Sequence, residues 1–346
     1  MSKDTDKDKG ATGETMKKFL AFRIDRKKGR HQAGFERITL DELSDGDVVI
    51  RALYSSINYK DALVATGSGN ILRKFPLVGG IDVGGVVEQS DVSKFNEGAP
   101  VLVCGSGLSE TLDGGYAGYV RVPSDCVVSL PLGLSLFEAM AIGSAGFSAA
   151  LALDTMQNNG QTPELGPIVV TGASGGVGSY SVDLLSGQGY QVVAITGKPQ
   201  SRDYLESLGA SKVLFRQDLK MGSRPLEKGL WGGAVDSVGG ELLAWLTRTV
   251  KPRGNIASVG LVGGINLKTT VMPFILRGIN ILGINSVFCP ATLRDQIWQR
   301  LASDLRPAHI EKIIHHEIPL DQIADFFQNY LHGKVIGRTV VKIAEH

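Results

Sequence analysis

Three evenly spaced glycines, Gly172, Gly175 and Gly178, mark the stretch of this 346-residue chain best suited to ligand chemistry. An apolar run at 168–170 precedes them, and a helical pattern and a second apolar run at 192–195 follow. Strand, glycine turn, helix and strand in this order form the unit that binds a dinucleotide. The glycines let backbone N–H groups approach a pyrophosphate, and the helix N-terminus adds partial positive charge. A tight turn without a ligand is the alternative, which these flanking elements disfavour.

The end of the second apolar run indicates which dinucleotide is bound. Enzymes that use NAD usually carry Asp or Glu about 20 residues beyond the glycines, where it accepts hydrogen bonds from the ribose. This chain has Thr196, Gly197 and Lys198 there, with Arg202 close behind. A hydroxyl, a backbone N–H and two cations suit a 2′-phosphate, so the prediction is NADPH. Arg216 is predicted to cover the adenine or the phosphate; the alternative is that Lys198 and Arg202 are ordinary surface charges.

Composition narrows the class of protein. The length fits two domains, and the 43% apolar fraction is enough for sizeable cores. The formal net charge is +1 and no basic block stands out, so nucleic acid is not an expected partner. No apolar run is expected to reach the length of a membrane span. Three cysteines without short spacing predict neither disulfides nor a zinc cluster, and a cytoplasmic protein is expected.

The order of patterns predicts an α/β fold with an irregular β portion in front. Residues 1–15 are charged and almost free of apolar side chains, which predicts a disordered leader. Short strands follow up to residue 130, including a hairpin at 114–123, and then a helix at 136–153. Strands and helices alternate after the glycine turn, as in a doubly wound parallel sheet. A strand, helix and strand at 313–343 are expected to return to the first portion.

Five segments resemble one subgroup of the medium-chain dehydrogenase/reductase superfamily. They are 58–63 (Asn-Tyr-Lys-Asp-Ala-Leu), 171–178 (Thr-Gly-Ala-Ser-Gly-Gly-Val-Gly), 223–228 (Ser-Arg-Pro-Leu-Glu-Lys), 270–277 (Thr-Val-Met-Pro-Phe-Ile-Leu-Arg) and 337–342 (Gly-Arg-Thr-Val-Val-Lys). Together they are similar to the acrylyl-CoA reductases, a group also named as quinone oxidoreductases. The resemblance implies a Rossmann-type sheet inserted in a GroES-like domain. The expected domains are 16–142 plus 289–346 for substrate and catalysis, and 143–288 for NADPH.

The same resemblance predicts that no zinc is bound. The zinc alcohol dehydrogenases place ligands where this chain has Asn58-Tyr59 and Ile81-Asp82, and their second zinc needs four clustered cysteines. Without thiolates or imidazoles at these positions, a zinc site cannot be assembled. Two departures from the subgroup, Gly79-Gly80 and Gly98-Ala99, affect loop geometry and not a functional atom.

The resemblance implies reduction of the C=C bond of an α,β-unsaturated acyl-CoA, with acrylyl-CoA as substrate. An NADPH:quinone oxidoreductase and a non-catalytic NADPH-binding sensor are the alternatives. Tyr59 is the candidate for holding the nicotinamide end and for donating or relaying the proton, because a phenol is a neutral donor at pH 7. Asn58 is predicted to orient that phenol or the substrate carbonyl. In the competing interpretation Tyr59 only packs and caps the helix that begins there.

Further contacts are carried over by position. Ser174, Gly175, Gly176 and Val177 are expected along the pyrophosphate, and Leu261, Ile275, Ser286 and Arg338 at the cofactor or substrate. For Leu261 and Ile275 the alternative is core packing. The candidate cations for the CoA phosphates are Lys60, Arg73, Lys74 and Arg277, each of which could equally be a surface charge. The apolar strand at 279–284 predicts a homodimer paired across a two-fold axis.

Overall fold

A computed structural model describes residues 18–344 of the chain. The predicted leader, residues 1–15, lies outside the described residues. The strands are β1 (Phe19–Lys27), β2 (Arg30–Ile38), β3 (Val48–Ser56), β4 (Leu77–Val78), β5 (Asp82–Ser90), β6 (Pro100–Cys104), β7 (Tyr119–Val122), β8 (Val128–Ser129), β9 (Ile168–Thr171), β10 (Val192–Thr196), β11 (Ala210–Phe215), β12 (Trp231–Asp236), β13 (Val250–Ser258), β14 (Asn280–Gly283), β15 (Ile314–Pro319) and β16 (Arg338–Lys342). The helices are α1 (Tyr59–Thr66), α2 (Leu136–Asn158), α3 (Gly176–Gly187), α4 (Arg202–Ser207), α5 (Gly240–Thr249), α6 (Met272–Arg277), α7 (Ala291–Leu301), α8 (Ile310–Ile313) and α9 (Ile323–Leu331).

The predicted parallel sheet is confirmed. Six strands run in the order β11-β10-β9-β12-β13-β14, and every neighbouring pair is parallel. This is the doubly wound order, in which the chain reverses direction across the sheet between β9 and β12. The run 168–170 is fully buried, because helices cover both faces of such a sheet. The carboxyl end of β9, where the glycine turn begins, therefore lies at the switch point at which this fold binds its ligands.

The other strands form a three-stranded and a seven-stranded sheet. The C-terminal strand β16 joins the larger of these by pairing antiparallel with β3, and β15 pairs parallel with β16. The return of the last elements to the first portion of the chain is thus confirmed. The exact domain boundaries, at 142/143 and 288/289, stay a prediction.

Helix α2 is the longest helix and is broken at one residue. Gly143 has φ 48° and ψ −159°, so the helix restarts at Ser144. The expectation that no apolar run reaches the length of a membrane span is wrong, since α2 is long and apolar enough to cross one by length and composition. Its apolar window is 83% buried inside the fold, which is typical of the core helix of a soluble protein.

The predicted hairpin at 114–123 is also wrong. Only β7 is a strand there, and it pairs with β3. Gly114 and Gly115 instead donate to the backbone carbonyls of Val78 and Gly80. A Cβ on either glycine would lie within 2.2 Å of a backbone oxygen, so these glycines mark a close approach of two backbones and not a turn.

Candidate active site

The glycine turn has the geometry that a pyrophosphate requires. Gly172 has φ 59°, and a Cβ on Gly178 would lie 2.3 Å from the Gly172 carbonyl oxygen. Helix α3 starts at Gly176, directly behind the turn, and its N-cap Gly175 offers no side chain to occupy the first N–H groups. These groups have no partner within the helix and carry the positive end of its dipole. The turn therefore fits the phosphates of a dinucleotide.

Lys198 forms the centre of the second part of the nucleotide region. Its ammonium donates to Ser174 Oγ at 3.3 Å and to the carbonyl of Val335, and no carboxylate pairs with it among residues 18–344. Burial lowers the pKa of Lys198 from 10.5 to about 8. The Ser174 hydroxyl also lies 2.9 Å from Thr196 Oγ1. A half-buried cation without an acidic partner fits an anion such as a 2′-phosphate.

The other residues that were predicted to contact the nucleotide are either exposed or buried beside Lys198. Thr196 is buried and supports Ser174 and the Lys198 backbone N–H instead of facing outward. Gly197 and Arg216 are exposed. The guanidinium of the second predicted cation, Arg202, lies 4.7 Å from the Phe215 ring centroid and pairs with Glu206 at 3.6 Å. Of the two cations, only Arg202 therefore has an acidic partner in the described chain.

Leu261 and Ile275 are 59% and 74% exposed, so the core-packing alternative is wrong for both. Their contact with the cofactor stays a prediction. Ser286 shares a hydrogen bond of 2.9 Å with Ser148 on α2, which places it beside the second half of that helix.

Arg338 has a different role from the predicted contact with phosphate or substrate. It is only 2% exposed, and each guanidinium nitrogen donates to the protein itself. Nε donates to the Ala141 carbonyl at 2.9 Å, Nη1 to Asn58 Oδ1 at 2.8 Å, and Nη2 to Ser56 Oγ at 2.7 Å. Because four of its five N–H groups have buried protein acceptors, Arg338 positions other groups.

Asp82 neutralises this buried guanidinium. Its Oδ2 lies 3.7 Å from Arg338 Nη2 and accepts from Ser56 Oγ at 2.6 Å and from the Asn58 amide at 2.8 Å. Oδ1 accepts from the backbone N–H and hydroxyl of Ser144, at 3.0 and 2.6 Å. The break in α2 at Gly143 makes this possible, because it exposes the N-terminus of the second half of the helix to the carboxylate. We call Ser56, Asn58, Asp82, Ser144 and Arg338 the buried network.

The prediction that Asn58 orients the Tyr59 phenol or the substrate carbonyl is wrong. The Asn58 side chain is buried, its oxygen accepts from Arg338, and its amide donates to Asp82. Both ends are thus used within the buried network. Asn58 is the N-cap of α1 and Tyr59 is its first residue, so the network fixes the point at which the Tyr59 side chain leaves the fold. Tyr59 is half-buried, and within the described part of the chain nothing hydrogen-bonds its hydroxyl.

Asp61, the third residue of α1, lies directly beneath the network. Its oxygens accept from the backbone N–H groups of Asn58 at 2.8 Å and Ile81 at 2.9 Å. Burial, with the charge of Asp82 as a second cause, raises the pKa of Asp61 to about 7.

The structure also describes the positions at which zinc alcohol dehydrogenases place ligands. Asn58 and Asp82 are tied there to the fixed positive charge of Arg338. Among residues 18–344 no group of three His, Cys, Asp or Glu side chains could hold a metal ion. These residues therefore do not fit a zinc ion.

The four candidate cations for CoA phosphates differ in availability. Arg277 donates to the backbone carbonyls of Arg248, Val250 and Glu227. Its guanidinium therefore holds the backbone together and is not a candidate for binding a CoA phosphate. Lys60 pairs with Glu110 at 2.7 Å, and Lys74 donates to Ser44. Arg73 keeps 65% of its side chain exposed.

Sequence reasoning missed two features. It treated Asp82 as a missing zinc ligand and did not foresee the carboxylate cap on the second half of α2. It also overlooked a block of five basic residues at 26–31 (Arg-Lys-Lys-Gly-Arg-His), which the composition as a whole conceals. The structure places this block at the turn between β1 and β2.

Comparison with known proteins agrees with the fold and the nucleotide region. Residues 44–132 match the alcohol dehydrogenase GroES-like domain, and residues 176–303 match the model described as zinc-binding dehydrogenase. The acrylyl-CoA reductase AcuI of Ruegeria pomeroyi is 41% identical over 92% of this chain and 97% of that protein. YhfP of Bacillus subtilis, which has the provisional name of a quinone oxidoreductase, is 42% identical over 94% and 99%.

Two solved structures are similar to the whole described fold. The yhdH oxidoreductase of Salmonella enterica in complex with NADP has a TM-score of 0.90 and 43% identity, over 94% of this chain and 100% of that one. The yhfP protein of Bacillus subtilis with NAD bound has a TM-score of 0.91 and 41% identity, with the same coverage. From these identities over nearly full length, the chain belongs to the medium-chain dehydrogenase/reductase family, in the zinc-free subgroup that contains the acrylyl-CoA reductases.

Proposed function

We propose that this protein reduces the C=C bond of a short α,β-unsaturated acyl-CoA with NADPH, converting acrylyl-CoA to propanoyl-CoA. The observation that carries the choice of cofactor is Lys198, a half-buried cation beside the glycine turn without an acidic partner in the described chain. The choice of substrate rests on the full-length similarity to acrylyl-CoA reductase.

The residues of this chain have distinct tasks in such a reaction. Bound NADPH supplies the hydride. The glycine turn and Lys198 hold the phosphates, and the buried network holds the start of α1. The Tyr59 hydroxyl, which nothing in residues 18–344 engages, donates a hydrogen bond to the thioester oxygen, where negative charge develops. As the enolate collapses, the same hydroxyl gives its proton to the α-carbon, and the phenolate that is left regains a proton from water.

The test is NADPH oxidation by the purified protein with acrylyl-CoA and, in parallel, with 1,4-benzoquinone. We expect a far higher kcat/KM for the thioester, and a lower one when NADH replaces NADPH. Turnover with the quinone alone would establish the second candidate, NADPH:quinone oxidoreductase, which the similarity to YhfP supports. NADPH binding without turnover on any enone, enoyl-CoA or quinone would identify a non-catalytic sensor.

The substitution Tyr59→Phe tests the role of the phenol. It should lower kcat by roughly 10²-fold, the typical contribution of a general acid, and leave the KM for NADPH nearly unchanged. Tyr190→Phe is the matched control, because the Tyr190 hydroxyl donates to the Gln161 carbonyl at 3.0 Å, outside the site. Equal kcat in both variants would show that Tyr59 only packs.

We also propose a homodimer. Its support is the free edge strand β14 and a neighbouring group of exposed apolar side chains. The group consists of Leu261, Val262, Ile265, Val271, Met272, Ile275 and Leu276. Light scattering coupled to size exclusion should give twice the 36.9 kDa chain mass, and a monomer would contradict the proposal.

The cytoplasmic location and the domain boundaries remain proposals of the same kind. Three free, buried cysteines suit a reducing compartment, and cell fractionation tests this. The boundary at 142/143 coincides with the break in α2 at Gly143. Limited proteolysis with mass spectrometry tests the division into 16–142 plus 289–346 and 143–288.

A further inference from the structure

A cavity of about 380 Å³ lies at the far end of α1 from Tyr59. Arg26 and His31 from β1 and β2 line it, together with Gly67, Asn70 and Phe75 from the segment behind α1. Its volume is within the range of small-molecule pockets, roughly 300–1,000 Å³. None of the residues that line it belongs to the parallel sheet or its helices, so it is separate from the nucleotide region.

The chemistry of the cavity favours an anionic group that carries an aromatic ring. The Arg26 guanidinium lies 4.8 Å from the Phe75 ring centroid and has no carboxylate partner in the described chain. Its five N–H donors are therefore available to a ligand. The His31 ring uses Nε2 for the Ala65 carbonyl at 2.8 Å, which leaves Nδ1 toward a further partner.

The hairpin beside the cavity concentrates positive charge. Arg26 pairs with His31 and Lys27 with Arg30 in the β1–β2 register, which leaves Lys28 and Gly29 as a two-residue turn. Among the cations at 26–30, only Lys27 has an acidic neighbour in residues 18–344, Asp25 at 3.8 Å. Several unneutralised cations beside a pocket attract a polyanion.

The backbone of the turn gives a second, independent indication. Lys28 has φ 51° and Gly29 φ 75°, the positive values that a type I′ turn requires at both positions. Asn, Asp or Gly usually fill the first position, and a lysine there is strained. A cation thus occupies a turn position that the backbone favours for Gly, Asn or Asp.

We propose that this cavity and its basic hairpin bind the 3′-phosphorylated ADP end of the CoA thioester. The inference rests on the proposed function. From Tyr59 to Gly67 the helix rises about 12 Å. The pantetheine arm has about twelve backbone bonds, equal to roughly four extended residues or about 14 Å. The arm is therefore long enough to reach from a thioester at Tyr59 to the cavity, where Phe75 would lie beside the adenine and Arg26 and Lys28 at the phosphates.

The experiment compares two substrates in the full-length protein, acrylyl-CoA and acrylyl-pantetheine, which lacks the nucleotide. The variants are Arg26→Ala with His31→Ala, and Lys28→Gly, which removes the charge and keeps the turn conformation. We expect kcat/KM for acrylyl-CoA to fall 10- to 100-fold, about 1.4–2.8 kcal/mol, mainly through KM. The value for acrylyl-pantetheine should stay unchanged. The control is Lys94→Ala, whose cation also lies near a ring, 5.1 Å from the Phe95 centroid, but outside the cavity and with Asp295 as a partner at 3.9 Å.

The outcomes separate the inference from the proposed function. If the unmodified protein reduces neither thioester, the proposed function fails. If it reduces both equally well, or if the variants keep the preference for acrylyl-CoA, enoyl reduction stands and the cavity assignment is overturned. Calorimetry distinguishes the source of the nucleotide: adenosine 3′,5′-bisphosphate should lose binding in the Arg26/His31 variant, and adenosine 2′,5′-bisphosphate only in Lys198→Met. Loss of 2′,5′-bisphosphate binding in the Arg26/His31 variant would contradict the assignment.

Discussion

The buried network around Arg338 and the nucleotide region around Lys198 both place a cation beside serine and threonine hydroxyls. In the network, every guanidinium nitrogen has a protein acceptor and Asp82 supplies the opposite charge. Around Lys198, the cation has a hydroxyl and one carbonyl, and burial lowers its pKa to about 8. Folding alone pairs the positive charge of Arg338, whereas the positive charge of Lys198 is paired only when an anionic ligand binds.

The presence or absence of an acidic partner distinguishes a network that positions other residues from a cation that binds a ligand. A buried ion pair with all its hydrogen bonds made resists change, since removing one partner leaves an uncompensated charge. A half-buried cation without a carboxylate is unfavourable until an anion arrives. Substitutions in the network should therefore act on stability, and substitutions at Lys198 on affinity.

The largest effect is expected from Arg338→Met. It leaves Asp82 buried without its counter-charge and should cost about 3–5 kcal/mol of unfolding free energy. The midpoint of thermal unfolding, measured by calorimetry, should drop by roughly 10 °C. Arg306→Met is the control, because its pair with Glu138 is partly exposed, 42% and 25%, and worth about 1 kcal/mol.

A double variant tests whether the unpaired charge of Asp82 causes this loss of stability. Arg338→Met combined with Asp82→Asn removes both charges and should recover part of the loss, because no unpaired charge remains buried. Equal destabilisation by Arg338→Met and Arg306→Met would mean that the network does not organise the site.

Gly143→Ala should have the next largest effect. A Cβ at this position would lie 2.6 Å from Asp82 Oδ2 and 2.7 Å from Arg338 Nη2, and φ 48° is unfavourable for alanine. We expect a loss of about 2–3 kcal/mol in urea denaturation. Gly187→Ala, in the last position of α3 with open space around it, should instead be neutral or stabilise by up to about 1 kcal/mol. The same sign in both would refute the close-packing explanation.

Lys198→Met should change affinity and leave stability nearly unaltered. The loss of a charge-assisted contact of about 1.5–3 kcal/mol raises the Kd for NADPH by roughly 10- to 100-fold. The Kd for NADH, which lacks the 2′-phosphate, should not change in fluorescence titrations. A parallel loss of both cofactors would assign Lys198 to the pyrophosphate or to folding.

The smallest effect is the pH dependence of that affinity. Phosphate binds the ammonium form, which the free protein loses as pH rises through the lowered pKa of about 8. The Kd for NADPH should therefore be lowest near about pH 7, above the phosphate pKa of about 6, and rise by about fivefold to tenfold by about pH 9. The Kd for NADH, and that of Lys198→Met for NADPH, should show no such rise. A level profile for NADPH would place the 2′-phosphate elsewhere.

Much of the fold was predictable because its signals are local. The apolar runs at 168–170 and 192–195 and the three glycines between them require one arrangement, since only glycine fits at Gly178 against the Gly172 carbonyl. The glycines at 114 and 115 were misread as part of a hairpin. A glycine marks either a close approach of two backbones or a positive φ, and the sequence alone does not say which of the two applies.

The sequence alone determined the dinucleotide turn and the cation beyond the second strand, because these residues lie within about 30 positions of one another. The class of fold followed from the repeated alternation of such local strand and helix patterns. Only the tertiary structure decided the roles of Asn58 and Arg338, which are 280 residues apart and share a hydrogen bond. The same holds for the cavity beside the basic hairpin, whose walls come from two strands and a distant loop. Whether a polar side chain is satisfied or free depends on partners that folding brings from elsewhere in the chain, and no local pattern records them.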